Sequence, residues 1–178
     1  VPIVEPENIG DADTLGEKEQ RTLEIVRAAI QNGEHALIYT SWVRTDSQQK
    51  LKKLLTDEGY RTEILTDKIK TTNREEWVQK RLAAGMQVLI VNPSLVETGL
   101  DLNAFTTLVF YSMGYKLFTL RQASRRSWRI NQKAPAVKVY MLYYEDTMQQ
   151  KCLKLMASKL AVAGLIEGNF SEEGLAAM

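Results

Sequence analysis

Gln122, Arg126 and Arg129 stand at i, i+4 and i+7 in the run Gln122-Ala123-Ser124-Arg125-Arg126-Ser127-Trp128-Arg129-Ile130-Asn131-Gln132. On a helix that spacing puts an amide and two guanidinium groups on one face. Arginine stays charged, presents a rigid fork of donors and can stabilise charge spreading over a transferring phosphoryl group. Gln122 has both donor and acceptor groups and can orient a partner side chain or a nucleotide. Upstream, Thr98-Gly99-Leu100-Asp101 follows a short apolar run. There Gly99 lets the backbone approach a ligand closely, and Asp101 can accept from a ribose hydroxyl or an arginine. Each pattern has a plainer reading: a solvated basic face for the arginines, a helix cap and turn for the tetrapeptide. Their order along the chain, strand, tetrapeptide, strand, then arginine helix, favours an anionic ligand over both.

The elements that must hold these residues alternate. Residues 1–16, with Pro2, Pro6 and Gly10 close together, read as an extended lead-in. From Glu17 to Gln31, Leu23, Val26 and Ile30 recur at helical spacing, and Asn32-Gly33 supplies a left-handed stop. Ala36-Leu37-Ile38-Tyr39 suits a strand buried on both faces. Helices over Thr45 to Glu58 and Asn73 to Ala84 end at Gly59 and Gly85, with a strand near Arg61 to Leu65 between them. Strands follow at Val88 to Val91, Thr107 to Tyr111 and Val137 to Leu142. A helix is expected over Leu117 to Ile130, and a closing helix from Glu145 to Ala163 with Met148, Cys152, Leu155 and Met156 on its apolar side. Strands alternating with helices predict an α/β fold around a mostly parallel sheet, with ligands at the carboxyl ends of the strands.

Composition sets limits. The chain has 178 residues, 44% hydrophobic and 25% charged, which suits one globular domain with a full core. Net charge is only +1, so a polyanion must be met by a local patch. A single cysteine, Cys152, and a single histidine, His35, exclude an intramolecular disulfide, a zinc cluster and a His-based triad, and no metal ligand set is expected. A reducing, cytoplasmic setting fits, and no membrane-spanning run or secretion signal is visible. The chain starts on Val1 and stops after Ser171-Glu172-Glu173, which resembles a fresh helix start, so a fragment of a longer protein is expected.

The motifs together resemble the second RecA-like domain of a superfamily 2 helicase, nearest to the Swi/Snf-type DNA translocases, whose last motif reads Gln-Ala-x-x-Arg-x-x-Arg-Ile-x-Gln. Gln122-Ala123, Arg126, Arg129-Ile130 and Gln132 stand in that register, Ala36 to Trp42 is similar to the family's fourth motif, and Leu95 to Leu102 to its fifth. Arg125 stands where these families usually carry glycine or aspartate, and Val96-Glu97-Thr98 replaces a glycine-rich start. The resemblance implies a RecA-like three-layer fold over residues 17–163, with 164–178 leading into further sequence. It implies that Arg126 and Arg129 face ATP across a cleft, with Gln122, Gly99 and Asp101 near the nucleotide.

The chain has no Gly-x-x-x-x-Gly-Lys-Ser/Thr loop and no Asp-Glu-x-His magnesium motif. By the resemblance, ATP and Mg2+ are held mainly by an N-terminal RecA-like domain upstream, and this chain alone is expected to be inactive. For nucleic acid, Ser41, Trp42, Thr66, Ser94 and Thr98 follow successive strands and can line one edge, where contact with backbone phosphates is the expectation. Lys68, Lys70 and Arg74 form a modest basic group, read as solvated surface, while Trp77 and Cys152 are read as core. Double-stranded DNA is the expected partner. The alternatives are the same lobe of an RNA helicase, or a non-catalytic RecA-like binding module.

Overall fold

The computed structural model describes residues 15–41, 47–96, 100–112 and 136–167, with side chains up to Ser158. Helix α1 spans Glu17–Gln31, β1 His35–Tyr39, α2 Ser47–Asp57, β2 Thr62–Leu65, α3 Arg74–Ala83, β3 Val88–Val91, β4 Phe105–Phe110, β5 Lys138–Met141 and α4 Met148–Glu167. Single 3₁₀ turns sit at Thr71–Asn73 and Pro93–Val96.

The three expected glycine stops all end helices. Gly33, Gly59 and Gly85 have φ of +74°, +89° and +91°, and after α1, α2 and α3 the next amide closes back on the last turn: Glu34 to Ala29, Tyr60 to Leu55 and Met86 to Arg81. This termination spends carbonyls that would otherwise be orphaned and turns the chain sharply toward the sheet. At Gly85 a Cβ would also collide with the Arg61 guanidinium, which donates to Ala84 O at 3.1 Å.

Among the described residues all four strand pairings are parallel, in the order β2-β3-β1-β4-β5. Period-2 alternation sends Ala36, Ile38, Val88, Ile90 and Val109 to one face, against Leu23, Ile25 and Val26 of α1 and Leu51 and Leu55 of α2. Leu37, Tyr39, Leu89, Val91, Leu108 and Phe110 go to the other, against Val78 of α3 and Cys152 and Met156 of α4. The result is the expected three-layer α/β arrangement, and the continuous apolar runs of β1, β3 and β4 follow from burial on both faces. Tyr39 and Phe110 stack across neighbouring strands with ring centroids 4.8 Å apart.

Two expectations are corrected at the end of the chain. The closing helix starts at Met148, not Glu145: Asp146 has φ +56°, and the Thr147 hydroxyl accepts from the Gln149 amide at 3.2 Å, capping a later start. Its inward stripe runs through Gln149, Cys152, Leu153 and Met156, whereas Met148 and Leu155 are 44% and 48% exposed. The choice among apolar residues is made by phase, since 149, 152, 153 and 156 hold the helical period and 148 and 155 fall beside it. Strand β4 begins two residues before the expected Thr107, at a buried Phe105 that meets His35 edge-on.

Candidate functional site

Among the described residues every strand is parallel, so their five carboxyl ends open on one edge. Strand β1 sends its chain through α2 to β2 on one side, while β4 sends its chain to β5 on the other. The connections diverge between β1 and β4, and a doubly wound sheet leaves a crevice at that point.

Polar side chains stitch this edge together. The Ser41 amide donates to Ser112 Oγ at 2.8 Å and the Ser41 hydroxyl donates to Ser112 O at 3.3 Å, bridging the ends of β1 and β4. The Asn92 side-chain amide donates to Ser41 O at 3.4 Å, joining the end of β3 to the same point. Asn92 Oδ1 accepts both the Ser94 amide, at 3.0 Å, and the Ser94 hydroxyl, at 2.8 Å. At the end of β1, Thr40 is fully buried, and among the described residues its hydroxyl has no hydrogen-bond partner. An unpaired buried hydroxyl costs about 1–3 kcal/mol, a local penalty at the end of β1.

Arg74, expected as solvated surface, is 8% exposed. Its Nε donates to Ile69 O at 3.1 Å and a terminal nitrogen donates to Leu95 O at 2.9 Å. One guanidinium therefore ties the loop after β2 to the 3₁₀ turn after β3. The rigid fork reaches two carbonyls at once, which a lysine cannot do. A signal was present in the sequence: Arg74 opens α3, where a cation opposes the helix dipole, so something other than helix stability keeps it there. Lys68 and Lys70 are exposed, as expected.

Of the residues expected at the nucleic-acid edge, Ser41, Thr66 and Ser94 follow β1, β2 and β3 on this one side. Their immediate roles are local. Ser41 binds Ser112, Ser94 closes a turn on Asn92, and Thr66 O accepts the Ile69 amide at 3.3 Å. Asp101, half-buried, accepts the Asn103 amide through Oδ1 at 3.1 Å and so braces the approach to β4. Trp42, Thr98, Gly99, Gln122, Arg126 and Arg129 lie outside the described residues. Trp77 is half-buried against the core, with the Arg81 guanidinium 5.4 Å from its ring centre. No described helix is long and apolar enough to cross a membrane.

Comparison with known proteins supplies a context for this edge. The model of the helicase conserved C-terminal domain matches residues 17–131. An uncharacterized ATP-dependent helicase of Mycoplasma pneumoniae (strain ATCC 29342 / M129 / Subtype 1) is 23% identical over 143 residues, which cover 80% of this chain and 14% of the relative. YwqA of Bacillus subtilis (strain 168), whose name marks ATP-dependent helicase/translocase as a role still to be proven, is 25% identical over 143 residues, 80% of this chain and 15% of that protein. The chain thus spans about a seventh of the length of these relatives. The crystal structure of the C-terminal part of the Fun30 ATPase domain superposes with a TM-score of 0.73 at 17% identity, covering 83% of this chain and 47% of that one. That likeness shows a shared fold, the RecA-like arrangement.

Proposed function

Since this chain belongs to the helicase conserved C-terminal domain family, we propose that it is the C-terminal motor lobe of an ATP-dependent superfamily 2 helicase or DNA translocase. The observation that carries the reading is the join between crevice and motif. Strand β4 ends at the divergence point, Ser41 holds Ser112 there, and the chain then runs directly into the segment bearing Gln122, Arg126 and Arg129.

In this reading Arg126 and Arg129 oppose the negative charge of an ATP molecule carried with Mg2+ by an N-terminal RecA-like lobe, and Gln122, Gly99 and Asp101 border the nucleotide. Polar side chains at the strand ends, Ser41, Asn92 and Ser94, support that reading. ATP supplies the phosphoryl-transfer energy; the chain's own contribution is two fixed positive charges and an amide. Ser41, Trp42, Thr66, Ser94 and Thr98 track the backbone of double-stranded DNA along the same edge, with hydroxyls and amides that suit phosphate without reading bases. The two lobes close and reopen as nucleotide is turned over, which moves the lobes along the strand. Residues 17–163 form the working domain, the fragment by itself is inactive, and the setting is the cytoplasm, where a lone buried Cys152 stays reduced.

The test is ATP turnover by the complete protein with duplex DNA, single-stranded DNA and RNA in parallel. Duplex DNA is expected to stimulate most. Stronger stimulation by RNA moves the lobe to an RNA helicase, and no turnover with any of them makes it a non-catalytic RecA-like module.

A further inference from the structure

Lys18 lies in the first turn of α1 and is only 4% exposed, an unusual state for a lysine. Helices in a parallel α/β fold run opposite to the strands, so the start of α1 reaches the carboxyl edge. There the Lys18 ammonium donates to Tyr111 O at 3.1 Å. It also lies 4.9 Å from the centre of the Tyr144 ring and 5.5 Å from that of Tyr111. Both are within the range of cation–π attraction. The adjacent residue joins in from the same turn: the Tyr111 hydroxyl donates to Glu19 Oε1 at 2.7 Å.

Tyr111 is where the ladder runs out. Its amide still donates to Tyr39 O at 3.0 Å, and the Leu142 amide to Phe110 O at 3.0 Å, but its carbonyl lies past the last paired residue of β4. A strand exit of this kind normally frays into water. Here the carbonyl is capped by a buried charge roofed by one ring from the end of β4 and another from beyond β5. The next residue, Ser112, is fixed from the opposite side by Ser41. Tyr111 and Ser112 are therefore gripped by α1 and β1 together, immediately before the segment that carries Gln122, Arg126 and Arg129.

We propose that Lys18 is a positioning residue of the motor: its ammonium, held between Tyr111 and Tyr144, fixes the exit of β4 and with it the origin of the arginine-bearing segment. The inference rests on the motor reading above. Displacement of about 1 Å at a reacting centre can cost about a hundredfold in rate, so a residue that never meets ATP can still govern turnover. An ammonium serves this place because it satisfies a carbonyl and two aromatic faces at once, without the directional demands of a neutral donor.

The experiment is ATP turnover by the complete protein carrying K18M, K18R, Y144L, R129A and the double substitution K18M/R129A, with thermal unfolding of each. K18M is expected to lower kcat by about ten- to a hundredfold while KM for ATP changes by less than about twofold. K18R is expected to recover most of the loss and Y144L to fall between. K18M is expected to cost less in the R129A background than in the wild type, because one of the groups it positions is already gone and only Gln122 and Arg126 remain to be placed. A merely structural lysine would instead lower turnover by the same factor in both backgrounds, and that result overturns the proposal, as does wild-type kcat in K18M. If K18M does not fold, K18R and Y144L decide by the same criteria. Wild-type turnover in R129A would remove the motor reading itself, whereas a loss in R129A with none in K18M removes only the role of Lys18.

Discussion

Ser41 and Ser112 exchange two hydrogen bonds, amide to hydroxyl at 2.8 Å and hydroxyl to carbonyl at 3.3 Å, across the point where β1 and β4 send their chains in opposite directions. Ser112 is 3% exposed, so its hydroxyl cannot be replaced by solvent without rearrangement. Ser112→Ala leaves the Ser41 amide without its acceptor and is expected to cost about 1–2 kcal/mol in urea unfolding. Ser41→Ala removes only the longer bond and keeps the shorter one. Its cost is expected to be about half as large, and equal costs would show that the seam is not organised around the Ser41 amide.

Arg74 sets a second constraint on the same edge. Arg74→Leu strips a donor from both Ile69 O and Leu95 O, and a loss of about 2–4 kcal/mol is expected. Arg74→Lys should recover less than half of it, since one ammonium cannot bridge both carbonyls. Full recovery by lysine in equilibrium denaturation would mean that charge, not the fork, matters there.

The opposite edge of the sheet offers a contrast. Glu34 accepts from Lys138 Nζ at 2.7 Å and from the Thr107 hydroxyl at 2.6 Å, bridging the start of β1 to β5 through β4. Those bonds, the lysine first, hold the Glu34 carboxyl below its ordinary pKa, and Glu34 in turn raises that of Lys138. A lowered carboxylate contributes stability above its unfolded pKa, about 4.3, and loses it as pH falls through the folded value. A raised lysine contributes below its unfolded value, about 10.4, and loses that as pH climbs through the folded one. Stability of the wild type is thus expected to decline at both extremes, and Glu34→Gln should flatten both limbs. Denaturation midpoints across pH check this, and turnover at neutral pH should be unaffected, because the pair stands at the amino ends of the strands.

Gly85 combines a φ of +91° with the movable tip of the exposed Arg61 side chain lying where a Cβ would stand. Gly85→Ala pays for backbone strain and displaces the Arg61 contact to Ala84 O, with an expected loss of about 1–3 kcal/mol. At Gly33 and Gly59 nothing stands within 4 Å of a built Cβ, so alanine there should cost only the strain. A thermal scan of the three variants should place Gly85→Ala lowest.

Much of the scaffold was legible in the chain because its signals are local. Helix α1 begins at Glu17 and ends at Gln31 as the periodicity and Asn32-Gly33 dictate, and β3 keeps its full apolar run from Val88 to Val91. The start of α4 lies at Met148 rather than at the expected Glu145 because the cap is the Thr147 hydroxyl, which accepts from the Gln149 amide. Site residues were harder. Spacing put Ser41, Thr66 and Ser94 just after successive strands, where the structure also has them, yet Lys18, Arg74, Asn92 and Ser112 act through partners 21 to 93 positions away in the sequence. No window of neighbours contains those pairs; only the crossover topology brings them together.

The most direct measurement is ATP turnover of the complete protein with Arg129→Ala, made at saturating nucleic acid beside the affinity for ATP. An arginine facing the transferring phosphoryl group is worth about a thousandfold or more, so turnover should fall by at least that factor while ATP still binds within a few-fold of wild type. Undiminished turnover with the guanidinium gone would contradict the motor assignment.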